Sequence, residues 1–198
     1  MARTRAADYG DKRQAILQRS AAVFAEHGVD RASMARVAAE CGVSKALLYH
    51  YYDSKEALLQ DIIRRHLVEL DAAIAEVDDA ALPPERRLRL LIGRVLERYR
   101  DADDLHQVQI AAMRTLPPDR AEELKDLERR VVARFGDVLR AVNPALDTGR
   151  PLLKPVTMSL FGMLNWVYMW FRPDGGLTRE EYADLATTLI LEGVRAVK

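Results

Sequence analysis

Residues 33–56 read Ser-Met-Ala-Arg-Val-Ala-Ala-Glu-Cys-Gly-Val-Ser-Lys-Ala-Leu-Leu-Tyr-His-Tyr-Tyr-Asp-Ser-Lys-Glu. Ser33 and Ser44 each stand where a hydroxyl can cap a helix of about two turns, and Gly42 lies between the two. A two-turn helix, a glycine-containing turn and a second two-turn helix form a helix-turn-helix signature. The N-terminal residues of the second helix of such a pair enter the DNA major groove. Here that helix would expose Lys45, Ala46, Tyr49 and His50, with Leu47 and Leu48 supplying its anchor to the core. Lys45 offers a charge to phosphate or guanine, and Ala46 permits close approach of the backbone. Tyr49 and His50 offer phosphate hydrogen bonds and apolar contact with a thymine methyl. Ser33 and Lys55 open flanking helices, where free N–H groups favour phosphate. Each residue also has a plainer reading: Ser33 and Ser44 as caps, Tyr51 and Tyr52 as core, Lys55 as a solvated lysine.

The rest of the chain offers no competing chemistry. There is no Ser-His-Asp set, phosphate loop or dinucleotide fingerprint, and His27, His50, His66 and His106 lack metal-ligand spacing. No catalytic residue, metal or cofactor is expected, and a helical enzyme is the remote alternative. A single cysteine, Cys41, excludes an internal disulfide framework and suits a reducing cytoplasm. The N-terminal residues lack the apolar core of a signal peptide. The longest apolar stretch, 156–171, is interrupted by Thr157, Ser159 and Asn165 and falls short of the roughly 20 residues a membrane span needs. The protein is therefore expected to be cytoplasmic, without membrane contact.

The formal charge of the 198 residues is zero, but it is unevenly spread. Residues 1–66 carry 11 Lys and Arg against 8 Asp and Glu, and the remainder carries 19 against 22. A slightly basic head on a slightly acidic body has the sign that DNA binding requires.

The elements needed to position these residues are all helical, and no segment alternates as a strand does. The pattern predicts helices over 12–27, after Ser33, over 45–51, 54–77, 84–100, 104–115 and 119–142. An apolar helix is expected over 151–171, and a last one after Thr178, whose capping box is completed by Glu181. The fold class is thus all-α. Residues 1–53 are expected to form a helix-turn-helix DNA-binding domain. Residues 54–198, opening with a long connecting helix at Ser54, are expected to form an effector-binding and dimerisation domain.

The stretch over 12–59 resembles the DNA-binding domain of the TetR (tetracycline repressor) family. Its pattern, Ala-x-x-x-Gly-Val-Ser-x-x-x-Leu-Tyr-x-Tyr-Phe-x-Ser-Lys-Glu-x-Leu, is met by Gly42, Val43, Ser44, Leu48, Tyr49, Tyr51, Ser54, Lys55, Glu56 and Leu58. Tyr52 replaces the usual phenylalanine and preserves the ring. The resemblance implies a homodimer on near-palindromic double-stranded operator DNA and a helical body holding a small-molecule pocket. It also implies that the last two helices form the dimer surface, with Tyr168, Leu185, Leu189, Ile190 and Val194 at the interface.

Gly162, Met163, Asn165, Trp166, Trp170 and Gly175 follow a second pattern. It resembles the C-terminal region of TetR-type regulators of fatty-acid, phenylacetate and steroid-ring catabolism, which respond to acyl-coenzyme A thioesters. Such an effector needs an apolar tunnel, for which Tyr99, Met113, Phe135, Leu139, Met158, Phe161, Asn165, Trp166 and Trp170 are candidates. It also needs cations for its phosphates, for which Arg86, Arg87, Arg89, Arg94, Arg98, Arg129, Arg130 and Arg134 are candidates. A stripe of aromatic residues is equally a core, and a run of arginines equally a solvated face. A TetR-type regulator of another lipophile or drug is the alternative reading.

Overall fold

A computed structural model describes residues 2–100 and 102–197, with side chains from Lys12 onward. Met1 and Lys198, the outer limits of the two expected domains, lie outside the described residues. The helices are α1 (Ala2–His27), α2 (Met34–Glu40), α3 (Lys45–Tyr51), α4 (Lys55–Val77), α5 (Pro84–Arg98) and α6 (Asp103–Ala112). They continue with α7 (Pro118–Val142), a 3-10 turn (Pro144–Asp147), α8 (Leu153–Asn165), α9 (Val167–Trp170) and α10 (Arg179–Ala196). No strand occurs among the described residues, and no described helix is long and apolar enough to cross a membrane.

Two compact units emerge, Met1–Leu67 with Ala102–Lys125, and Val68–Asp101 with Asp126–Lys198. The first therefore takes in the opening of α4 and all of α6, where a division after Asp53 would have ended it. Its core is formed by Ile16, Leu17, Val23 and Phe24 of α1, Val37 of α2, Leu48 of α3, Leu58, Leu59, Ile62 and Ile63 of α4, and Val108 and Ala112 of α6, with Ala121 and Leu124 of α7 also buried. α1 packs on α2 and α6, and it extends ten residues further toward the N-terminus than the apolar pattern predicts. Two histidines are buried in this unit, His66 of α4 and His106 of α6, with ring centroids 6.4 Å apart. Gly28 ends α1 at φ +82°, a conformation that costs glycine little.

In the second unit α10 packs on α5 and α8 around Leu91, Ile92, Val95, Phe135, Val138, Leu139, Leu160 and Leu164. The Asn143 amide donates to the carbonyls of Val194 and Val197 at 2.8 and 3.0 Å, satisfying acceptors at the end of α10. Thr178 and Glu181 form the expected capping box at the start of that helix. A charged cluster lies in the same unit. Asp78 accepts from both Arg87 and Arg134, and Arg134 also donates to Asp71 at 3.2 Å. The Arg87 bond, helped by Arg134, holds the Asp78 carboxyl below its ordinary range against the opposing effect of burial.

The apolar segment over 151–171 is not one helix. It breaks at Trp166, a turn residue at φ −92°, ψ −2°, into α8 and α9. The Asn165 side chain just before the break is engaged by the Tyr99 hydroxyl at 3.1 Å. A tertiary contact thus coincides with the end of a helix that periodicity alone would continue.

Candidate nucleic-acid interface

Each end of the two short helices is built by local chemistry. Ser33 Oγ accepts from the Arg36 N–H at 3.3 Å, and Ser44 Oγ accepts from the Leu47 N–H at 3.1 Å. Between them Gly42 at φ +68° closes α2 in a Schellman arrangement. There the Gly42 N–H donates to Ala39 and the Val43 N–H to Ala38. Ser20 and Cys41 meet behind this turn with Oγ and Sγ 3.6 Å apart. Burial pushes the Cys41 thiol up, so it stays protonated and acts as a small packing residue.

α3 presents Lys45, Ala46, Tyr49 and His50 on the surface, and Leu48 is its fully buried anchor. Leu47 is exposed beside them rather than sharing the anchoring role. Lys45 Nζ lies 5.7 Å from the Tyr49 ring centroid, within cation–π range. Tyr51 is half-buried, edge-on to His50 at 5.9 Å, and Tyr52 is buried.

Ser33, Lys45, Tyr49 and Lys55 line one open cleft of about 340 Å³, together with Asp30, Arg31 and residues of the α2 start. Residues from three successive helices thus converge on a single concave surface, where Lys45 and Arg31 supply cations. Arg31 and Arg36 are exposed beside Ser33 and were not singled out from the sequence. Their flanking of a capping serine is the signal that could have identified them.

Lys55 departs from expectation. Its Nζ donates to the carbonyls of Val29, Asp30 and Ala32 at 3.0, 3.4 and 3.5 Å. A cation in the first turn of a helix opposes the helix dipole, and here it turns instead to the carbonyls of the α1–α2 connection. It is neither a solvated lysine nor an ammonium presented freely to a phosphate.

The body residues divide differently from the expected tunnel. Tyr99, Phe135, Leu139 and Phe161 are buried in the second unit, with the Phe135 and Phe161 rings edge-to-face at 5.0 Å. Burial pushes the Tyr99 phenol up, keeping it a donor to half-buried Asn165. Met113 is part-buried and belongs to the other unit. Met158, Trp166 and Trp170 are 48, 53 and 47% exposed, so they stand outside the apolar interior. Met158 and Trp166, eight residues apart, lie on one helical face turned away from buried Leu160 and Leu164, and Trp170 follows the break at Trp166.

The expected phosphate arginines are largely committed. Arg87 and Arg134 pair with Asp78, Arg89 with Asp184, Arg94 with Glu97, Arg98 with Glu69, Arg129 with Asp126 and Arg130 with Asp71. Arg86 is exposed. Among the expected interface residues, Leu185 and Leu189 are 46 and 56% exposed. Tyr168 and Ile190 are half-buried, and Val194 is enclosed in its own unit. Val194 faces inward because it lies five residues from Leu189, roughly 140° around α10 from the outward stripe.

The chain is similar over nearly its whole length to known regulators. The HTH-type transcriptional repressor KstR2 of Mycobacterium tuberculosis is 26% identical over 198 residues, covering 96% of each chain. A solved TetR-family transcriptional regulator from Bordetella parapertussis is 33% identical with a TM-score of 0.85, covering 94% of this chain and 97% of that one. AibR, solved with isovaleryl coenzyme A and operator DNA, is 25% identical with a TM-score of 0.76, covering 90 and 97%. Residues 16–62 match the model for bacterial regulatory proteins of the tetR family, and residues 81–194 match that for the tetracyclin repressor-like C-terminal domain. With a helix-turn-helix of two capped short helices and family matches over residues 16–62 and 81–194, the chain belongs to the TetR family of regulatory proteins.

Proposed function

We propose that the protein is a transcriptional repressor that binds a palindromic operator as a homodimer and is released by an acyl-coenzyme A thioester from a catabolic pathway. The observation that carries the DNA half is the face of α3, where Lys45, Ala46, Tyr49 and His50 are exposed around the single anchor Leu48. Two such faces spaced by one helical turn of DNA, roughly 34 Å, would read successive major grooves.

Dimerisation is supported by two outward stripes at helical spacing. Met158 and Gly162 of α8, with Trp166 at its end, form one, and Leu185, Leu189 and Gly193 form the other on α10. A side-chain carbon added at Gly162 or Gly193 would meet nothing within 4 Å. Exposed apolar residues in line with a glycine on each helix suit close approach of the same two helices from a second copy.

For the effector, the support is the likeness to AibR, solved with isovaleryl coenzyme A, together with the Asn165-Trp166 pattern. A second reading, release by a plain lipophile without coenzyme A, is favoured by the carboxylate partners of Arg87, Arg89, Arg98 and Arg134.

Footprinting upstream of the protein's own operon tests the DNA half: a protected palindrome is expected, and its absence refutes operator repression. Isovaleryl-coenzyme A and a long-chain fatty-acyl-coenzyme A, each at saturation, are expected to lower operator affinity. Unchanged affinity with both refutes the thioester reading alone. Thermal stabilisation by the free acid but not by its coenzyme A adduct would favour the second reading.

A further inference from the structure

α3 has seven residues, and Leu48 is its only buried side chain. A helix of two turns does not sustain itself, and one apolar anchor sets its distance from the core without setting its roll. The roll must come from the ends. At the N-terminal end Ser44 acts within the helix. At the C-terminal end stands Tyr52, whose N–H donates to the Leu48 carbonyl and whose side chain is buried.

The Tyr52 hydroxyl donates to Asp61 Oδ2 of α4 at 2.6 Å. Arg13 of α1 donates through Nε to the same hydroxyl at 3.2 Å, and through Nη2 to the same carboxylate oxygen at 2.7 Å. Its guanidinium lies 5.9 Å from the Tyr52 ring centroid. Three helices therefore meet at one phenol, which burial and the Asp61 carboxylate keep protonated. Packing alone would be served by the phenylalanine usual at this position, so the hydroxyl adds something that packing does not require.

We infer that Tyr52 is a positioning residue for operator recognition: its hydroxyl, held by Asp61 and braced by Arg13, sets the roll of α3 and hence the aim of Lys45 and Tyr49. The inference rests on the operator-binding reading above. Its physical content, that the hydroxyl orders α3, is also testable without DNA.

Tyr52→Phe keeps the ring and removes only the hydroxyl. Hydrogen exchange on the full chain without DNA is expected to quicken across residues 45–51 by about fivefold, the loss of one ordinary hydrogen bond, with α5 and α10 unchanged. Unchanged exchange over 45–51 overturns the inference whatever happens with DNA. The duplex enriched by in vitro selection on the wild-type chain provides the second readout. Its affinity relative to a random duplex is expected to fall several-fold in Tyr52→Phe and in Asp61→Asn, with the salt slope unchanged. The double variant is expected to be no worse than Asp61→Asn alone. Equal losses on both duplexes, or a salt slope smaller by about one, would make the hydroxyl a phosphate contact or a stability element and overturn positioning. Failure of the operator reading looks different, because the wild-type chain itself would then prefer no duplex while the exchange measurement still decides the role of Tyr52.

Discussion

The Tyr99 hydroxyl donates to Asn165 Oδ1 across 3.1 Å, joining residues 66 apart in sequence at the point where α8 stops. Tyr99→Phe is expected to lower the unfolding free energy by about 0.5–1.5 kcal/mol, the usual net value of one hydrogen bond. Denaturant unfolding measures it. Because the two groups share the bond, combining Tyr99→Phe with Asn165→Ala should cost less than the sum of the single losses.

Asp78 makes stability depend on acid. Its carboxyl is held below the ordinary range in the folded state, chiefly by Arg87. The resulting stabilisation is therefore complete above the unfolded-state value, near 4. It is lost as pH falls through the lower folded-state value. Asp78→Asn is expected to cost about 1.5–3 kcal/mol at neutral pH, the range for hydrogen bonds to charged groups. It should also flatten the fall in stability below about pH 4. An unfolding series against pH in which wild type and variant run parallel would contradict this.

The two lysines at the cleft should separate in salt. Lys45→Ala is expected to weaken operator binding and reduce the salt slope by about one, as loss of a phosphate neutralisation does. Lys55→Ala should weaken binding with little change of slope, because its ammonium sits on three carbonyls of the α1–α2 connection. Affinity measured at several salt concentrations distinguishes the two.

Gly162→Leu should leave each protomer folded while weakening the homodimer at least tenfold. Open space surrounds the position, and a helical leucine is favoured over glycine by up to about 1 kcal/mol. Sedimentation across a concentration series reports the dimer. A dissociation constant equal to that of the wild type would exclude this face as the interface.

The helix limits that could be read from the residues alone are those set by local chemistry. Ser33, Ser44 and Thr178 each place a hydroxyl within reach of an N–H three positions on, and the helices begin there. The break at Trp166 is different, because apolar residues run on through it and the polar contact beside it, on Asn165, comes from Tyr99 at the end of α5, far removed in sequence. The same limit explains the arginines. Arg87 and Arg134 read as phosphate ligands until folding brings Asp78 between them. Lys55 and Tyr52 follow suit, since the motif identifies each type but not the carbonyls of 29, 30 and 32 or the carboxylate of Asp61 that engage them. Ser33, Lys45 and Lys55, which line the cleft, could be singled out because each stands at a helix start whose cap is local.

The first compact unit is assembled from two stretches of chain, with α6 on α1 and residues 68–101 given to the other unit. A ribosome must therefore deliver residues through about 125 before the unit that carries the helix-turn-helix can complete its core. A fragment cut at Asp53 or Leu67 lacks α6, so it is expected to be a poor decoy for the intact regulator in the cell. Transplanting the specificity of this protein onto another body would require exchanging both stretches together.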